Sequence, residues 1–82
     1  MNNETTEILN TLVKQVDKVM LTKKEVALLL GVSTTTIDNY VKREINPLSF
    51  IKFGKGAKSP IRFHITSIAT FIYKNKEITN GF

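Results

Sequence analysis

"LTKKEVALLLGVSTTTIDNYVKRE", residues 21–44, contains two helix starts and one helix stop. Thr22 followed three positions later by Glu25 is a capping box: the Thr hydroxyl takes the Glu25 N–H and the Glu carboxylate reaches back to the Thr22 N–H. A helix is therefore expected over about 23–30. Its apolar run ends at Gly31, the residue type that accepts the left-handed backbone of a helix C-terminus. Ser33 is a preferred N-cap and predicts a second helix over about 34–44. Two helices crossing at so tight a turn need a small residue where their backbones approach, and Ala27 supplies it. Val26, Leu30, Val32, Ile37 and Tyr40 fall on the sides that face a shared core.

Upstream, Ile8, Leu9, Leu12, Val13, Val16, Val19 and Met20 recur at three- and four-residue steps, which predicts an amphipathic helix over 4–20. Leu9, Leu12, Val16 and Val19 also fit an a/d pattern, for barely two heptads. The stripe formed by Ile8, Leu9, Leu12, Val16 and Val19 is expected to pack on its own domain, with self-association as the other use. Downstream, Asn46-Pro47 ends helical structure and two runs of alternating residues follow. Ile51 and Phe53 flank Lys52, and Ile61, Phe63 and Ile65 alternate with Arg62 and His64. This predicts a hairpin over about 49–65 with one apolar and one basic face, placing Lys52 and Arg62 together, around a mobile tip rich in Gly and Lys. Thr66 or Ser67 then caps a last helix over about 67–76, with Ile68, Ala69, Phe71 and Ile72 on its buried side, and residues 77–82 are expected to be a frayed tail. The fold class is mainly α with a small β-hairpin, in one domain over residues 1–82.

At 82 residues, with no cysteine, such a domain stands on packing alone and suits a reducing compartment. The longest apolar run, Val26 to Leu30, is far short of the about 20 residues that span a bilayer. The N-terminus lacks the basic start of a signal peptide, so a cytoplasmic protein with no membrane role is expected. The net charge of +5 is unevenly placed. Residues 1–21 set Lys14 and Lys18 against Glu4, Glu7 and Asp17. Residues 42–62 set Lys42, Arg43, Lys52, Lys55, Lys58 and Arg62 against Glu44 alone. Clustering of like charge costs self-repulsion and points to a polyanionic partner.

Helix, three-residue turn, helix, hairpin is the order of a winged helix-turn-helix preceded here by an amphipathic helix. The quoted stretch, followed by "IKFGKGAKSPIRFHITSIATFI" and its closing "RFHITSIATF" from Arg62 to Phe71, resembles the small excisionase and AlpA-like regulators. The resemblance covers about Leu21 to Ile72. The hairpin is longer and richer in lysine than the family pattern, and the N-terminal helix lies outside it. Members of that group resemble the DNA-binding half of MerR-type regulators. The resemblance implies a double-stranded DNA-binding protein of a mobile element, either an architectural factor in excision or a small transcriptional regulator.

The residues themselves support contact with DNA. With Ile37, Tyr40 and Val41 turned inward, the second helix presents Thr35, Thr36, Asp38, Asn39, Lys42 and Arg43. Three threonines in its first turn cost roughly 1–2 kcal/mol of helix propensity. Short side chains there let a helix enter the major groove by its N-terminus. Asn39 can pair with adenine through both its amide groups. Thr35, Thr36, Asn39 and Arg43 are therefore the expected base contacts. Ser33, Thr34, Lys42, Lys52, Lys55, Lys58 and Arg62 are the expected phosphate contacts, helped by free N–H groups from Ser33 to Thr36. Two other functions fit the same sequence: a protein-interaction module whose N-terminal stripe of Ile8, Leu9, Leu12, Val16 and Val19 recruits a recombinase or replication partner, or a single-strand-binding replication accessory protein with Phe50 or Tyr73 stacking on bases.

No cofactor, metal site or catalytic activity is expected. His64 alternates outward beside Arg62, which suits a rim or phosphate contact better than a general base. No acidic pair has useful spacing, and "GKGAKS" lacks the spacing of a phosphate-binding loop.

Overall fold

A computed structural model describes residues 2–79, with side chains up to residue 75. Its four helices and three short strands follow the order α1 (Asn3–Gln15), β1 (Met20–Leu21), α2 (Lys23–Leu30), α3 (Thr34–Val41), β2 (Ile51–Lys52), β3 (Ile61–His64) and α4 (Ile65–Thr79). The molecule is mainly helical, with one small antiparallel sheet in the order β1-β3-β2. Among the described residues no helix is long and apolar enough to cross a membrane.

The cap signals place α2 and the start of α3. The Thr22 oxygen accepts from the Glu25 N–H at 3.1 Å, and the Thr22 N–H donates to the Glu25 carboxylate at 2.9 Å. Gly31 ends α2 with φ 70°. The Val32 N–H reaches back to the Ala27 carbonyl at 2.9 Å, and the Gly31 N–H to that of Leu28 at 3.3 Å. This is a Schellman closure, and a Cβ on Gly31 would meet nothing within 4 Å, so it is the dihedral angle that calls for glycine here. Across the turn, Val26 and Ile37 are fully buried and Ala27 is nearly so. Leu30, Val32, Tyr40 and Val41 pack around them half-buried.

Leu21, Leu48, Phe63, Ile65 and Ile68 complete the centre of the core, with Ala69 and Phe71 from α4. The Tyr40 and Phe71 rings meet with centroids 4.8 Å apart, joining α3 to α4. α1 lies across α4, with Leu12 buried and Ile8, Leu9 and Val16 half-buried against the same core. Ile8, Leu9, Leu12 and Val16 thus pack within the domain, as expected, while Val19 does not.

Several boundaries differ from expectation. α1 stops at Gln15 rather than residue 20, because Val16 turns extended and Met20–Leu21 pair with His64 and Phe63 instead. The residues between are the chain needed to reach the capped start of α2. Val19 is left outside the stripe, 56% exposed, while its carbonyl accepts the Ile65 N–H at 2.8 Å. α3 ends at Val41, not 44: the Leu48 N–H bonds to the Tyr40 carbonyl at 3.1 Å, and Asn46 takes a positive φ of 51° before Pro47. The Asn75 side chain holds that turn against α4 by donating to the Asn46 carbonyl at 3.3 Å and to that of Phe71 at 2.8 Å.

α4 starts at Ile65, two residues early, and its backbone stays helical to Thr79, into the stretch expected to fray. The remainder of that stretch, residues 80–82, lies outside the described residues. The hairpin strands are shorter than the span 49–65, at two and four residues.

Candidate nucleic-acid interface

α3 is presented by two devices that the sequence specifies locally. The Ser33 side chain accepts the Thr36 N–H at 3.1 Å, fixing the first turn, and Ile37 anchors the opposite side in the core. Ser33, Thr34, Thr35, Asn39 and Lys42 are exposed; Thr36 and Arg43 are half-buried. Thr35, Asn39 and Lys42 stand at helical spacings that place them on one side.

Thr36 is more committed than expected. Its N–H is taken by Ser33 and its hydroxyl lies 3.0 Å from the Ser33 oxygen. The N–H groups left for an anion at this helix start are those of Thr34 and Thr35, the first two helical positions.

Asp38 is the one acid on this helix. Its carboxylate meets the Lys23 ammonium of α2 at 2.6 Å, so the negative charge on the outward side of α3 is neutralised by its neighbour. Nothing in the spacing of residues 23 and 38 announces this pair; the packing of α2 against α3 creates it. A second pair, Lys18 with Glu25, sits at the start of α2. Hydrogen bonding from Lys18, joined by the Thr22 backbone N–H, holds the Glu25 carboxyl down at about 2, well below its ordinary 4.5.

The hairpin departs most from expectation. Its register pairs Ile51 with Arg62 and Lys52 with Ile61. Directly opposed residues in an antiparallel pair share a face. Lys52 therefore stands with Ile61 on the side of Phe63, and Arg62 stands with Ile51 on the other. Alternation within each strand is as expected, but the strands are offset by one residue from the arrangement that would bring Lys52 and Arg62 together, and one residue of offset exchanges the faces.

Lys55 and Lys58 are exposed at the tip, which is folded rather than loose. The Ser59 N–H bonds to the Gly56 carbonyl at 3.1 Å. Gly54 has φ 135°, and a Cβ there would come within 2.5 Å of the Ser59 hydroxyl. Arg62 donates from Nη1 to the Ile61 carbonyl at 2.7 Å, keeping its guanidinium along the strand.

His64 turns from the expected rim role to a structural one. Its Nδ1 accepts the Thr66 N–H at 3.1 Å and lies 2.7 Å from the Thr66 hydroxyl. A backbone amide can only donate, so Nδ1 carries no proton. His64 is thus the N-cap of α4 in place of Thr66 or Ser67, and the ring nitrogen does what a Ser or Asn oxygen usually does.

The chain matches no family model, no curated protein and no solved structure.

Proposed function

We propose that this protein binds double-stranded DNA as a winged helix-turn-helix, with α3 entering the major groove by its N-terminus and the β2–β3 hairpin acting as the wing. The observation that carries the reading is the outward side of α3. Short hydroxyl side chains stand at its start, Asn39 and Lys42 follow on the same side, and the one acid is neutralised by Lys23. A helix arranged this way lets backbone and base edges approach closely while presenting no uncompensated negative charge to phosphates.

In this reading Thr35, Asn39 and Arg43 address bases, with Thr36 contributing what its bond to Ser33 leaves available. Thr34, Lys42, Lys55, Lys58 and Arg62 hold phosphates, with Ser33 and Lys52 at the margins. The resemblance noted in the sequence supports a role in a mobile element, as an excisionase-like architectural factor or a small transcriptional regulator. Neutralising about five or six phosphates gives a log–log dependence of affinity on salt with slope near −5. Anisotropy titrations of a labelled duplex over a range of salt test this, with a single strand of the same sequence as competitor. A flat slope, no duplex binding, or displacement by the single strand at equal concentration overturns it.

A further inference from the structure

Among the described residues the exposed large apolar side chains are Val13 on α1, Val19 before β1, Leu28 on α2, Ile45 after α3, and Phe50, Ile51 and Phe53 in and around β2. Phe50 is accounted for by its ring packing at 6.2 Å from that of Phe63. The outer face of the hairpin is different. The register that turns Lys52 toward Ile61 turns Ile51 away from the core beside Arg62. Phe53, two residues further and tied to the Pro60 carbonyl by an N–H bond of 2.8 Å, falls on the same side by alternation. Ile51 is 44% exposed and Phe53 53%. Two large apolar residues thus stand adjacent on a solvent-facing strand, next to an arginine and directly before the tip that holds Lys55 and Lys58.

The charge around them selects the occupant. From Ile45 to Asn75 the chain contains no acidic residue, while Lys52, Lys55, Lys58, Arg62 and Lys74 are all cationic. A protein partner for a purely cationic rim would have to supply every counter-charge itself. A nucleic acid supplies phosphates at regular spacing on both sides of an apolar base stack.

We infer that Ile51 and Phe53 form an apolar wedge that contacts and partly unstacks a base step in bound duplex, with Arg62, Lys55 and Lys58 gripping the flanking phosphates. This rests on the DNA-binding reading above and adds to it a base-contacting surface remote from α3. The chemistry is that of apolar side chains inserted between base steps, least costly at pyrimidine–purine steps, which unstack most readily. Gly54 makes the arrangement possible, since only a residue without a Cβ lets the chain turn against Ser59 immediately after Phe53.

The test uses the full chain and duplexes of about 20 base pairs in which 2-aminopurine is moved stepwise past TA and CA steps. Anisotropy reports binding and 2-aminopurine fluorescence reports unstacking. The wild type is expected to raise the fluorescence several-fold at one or a few positions. The double variant Ile51→Ser, Phe53→Ser is expected to bind within about tenfold of the wild type, with the same salt slope, and to lose the fluorescence rise. Both positions are exposed, so circular dichroism should report an unchanged fold. Bound wild type with no rise at any position overturns the wedge, as does a variant that keeps the rise. So does a DNA-free wild-type dimer that the double substitution converts to monomer, because the face then serves a second copy. Absence of any anisotropy change with the wild type overturns the DNA-binding reading itself, and the separate readout keeps the two failures distinct.

Discussion

The Lys23 ammonium lies 2.6 Å from the Asp38 carboxylate, across the crossing of α2 and α3. Both side chains are more than a third exposed, so the pair adds little to stability, about 0–1 kcal/mol. Its consequence is electrostatic. In the DNA-binding reading, Lys23→Gln uncovers a carboxylate on the side of α3 proposed to meet DNA, at a cost of about 0.5–1 kcal/mol in high dielectric, or about two- to fivefold in duplex affinity. The thermal midpoint should barely move. Adding Asp38→Asn to Lys23→Gln should restore most of the loss, because the charge that needed neutralising is gone. A double variant that stays as weak as Lys23→Gln would mean that Lys23 acts on phosphate directly.

The ring of His64 caps α4, and that role can be separated from its place in β3. His64→Ala removes the acceptor for the Thr66 N–H and should lower stability by about 1 kcal/mol, read as a shift of the urea midpoint. His64→Thr keeps a strand-favouring residue and supplies a capping oxygen, so it should recover most of that loss. Equal destabilisation by Ala and Thr would assign the effect to packing against Met20, the strand partner of His64, rather than to the cap.

Glu25 gives the domain an acid-sensitive joint. Its carboxyl is held at about 2 from an ordinary 4.5, first by hydrogen bonding from Lys18 and then by the Thr22 N–H. A carboxyl depressed on folding stabilises the native state fully above its unfolded value, and that contribution drains away as pH falls from about 4.5 toward about 2. Glu25→Gln should therefore lie below the wild type in stability at neutral pH and converge on it near pH 2. High salt should narrow the gap by screening Lys18. Unfolding curves of the two proteins taken between pH 2 and 7 check both statements, and parallel curves across that range would remove Glu25 from the acid response.

What could be read from residues alone followed the locality of each signal. α2 and the first residue of α3 were legible because Thr22, Glu25, Gly31 and Ser33 close hydrogen bonds within three to five residues of themselves. The end of α1 was not, because no cap marks Gln15; a tertiary pairing of Met20–Leu21 with β3 overrides a helical periodicity that continues past it. Alternation assigned two faces to each strand of the hairpin correctly but carries no information on the offset between strands, so the partner of Lys52 was misplaced by one residue. The cap from His64 and the neutralisation of Asp38 were illegible for a related reason. A ring nitrogen is an unusual cap, and the Lys23–Asp38 pair exists only once two helices have crossed.

In the proposed DNA-binding reading, Asn39 is the residue that separates recognition from attraction. It is exposed on α3 at the helical spacing that joins it to Thr35 and Lys42, and it carries no charge. An amide that pairs with adenine through its donor and its acceptor contributes about 1–3 kcal/mol of discrimination against a wrong base, while most of the affinity comes from phosphates. Asn39→Ala should therefore reduce the ratio of best-site to random-duplex affinity by roughly tenfold or more. It should leave random-duplex affinity and its salt slope near the wild type. Lys58→Ala should do the reverse, weakening all duplexes alike and making the slope shallower by about one unit. Selection of bound sequences from a random pool, run in parallel for the two variants, distinguishes them. If Asn39→Ala weakens every duplex equally and enriches the same sequences as the wild type, base reading lies elsewhere on the protein and α3 serves only to position it.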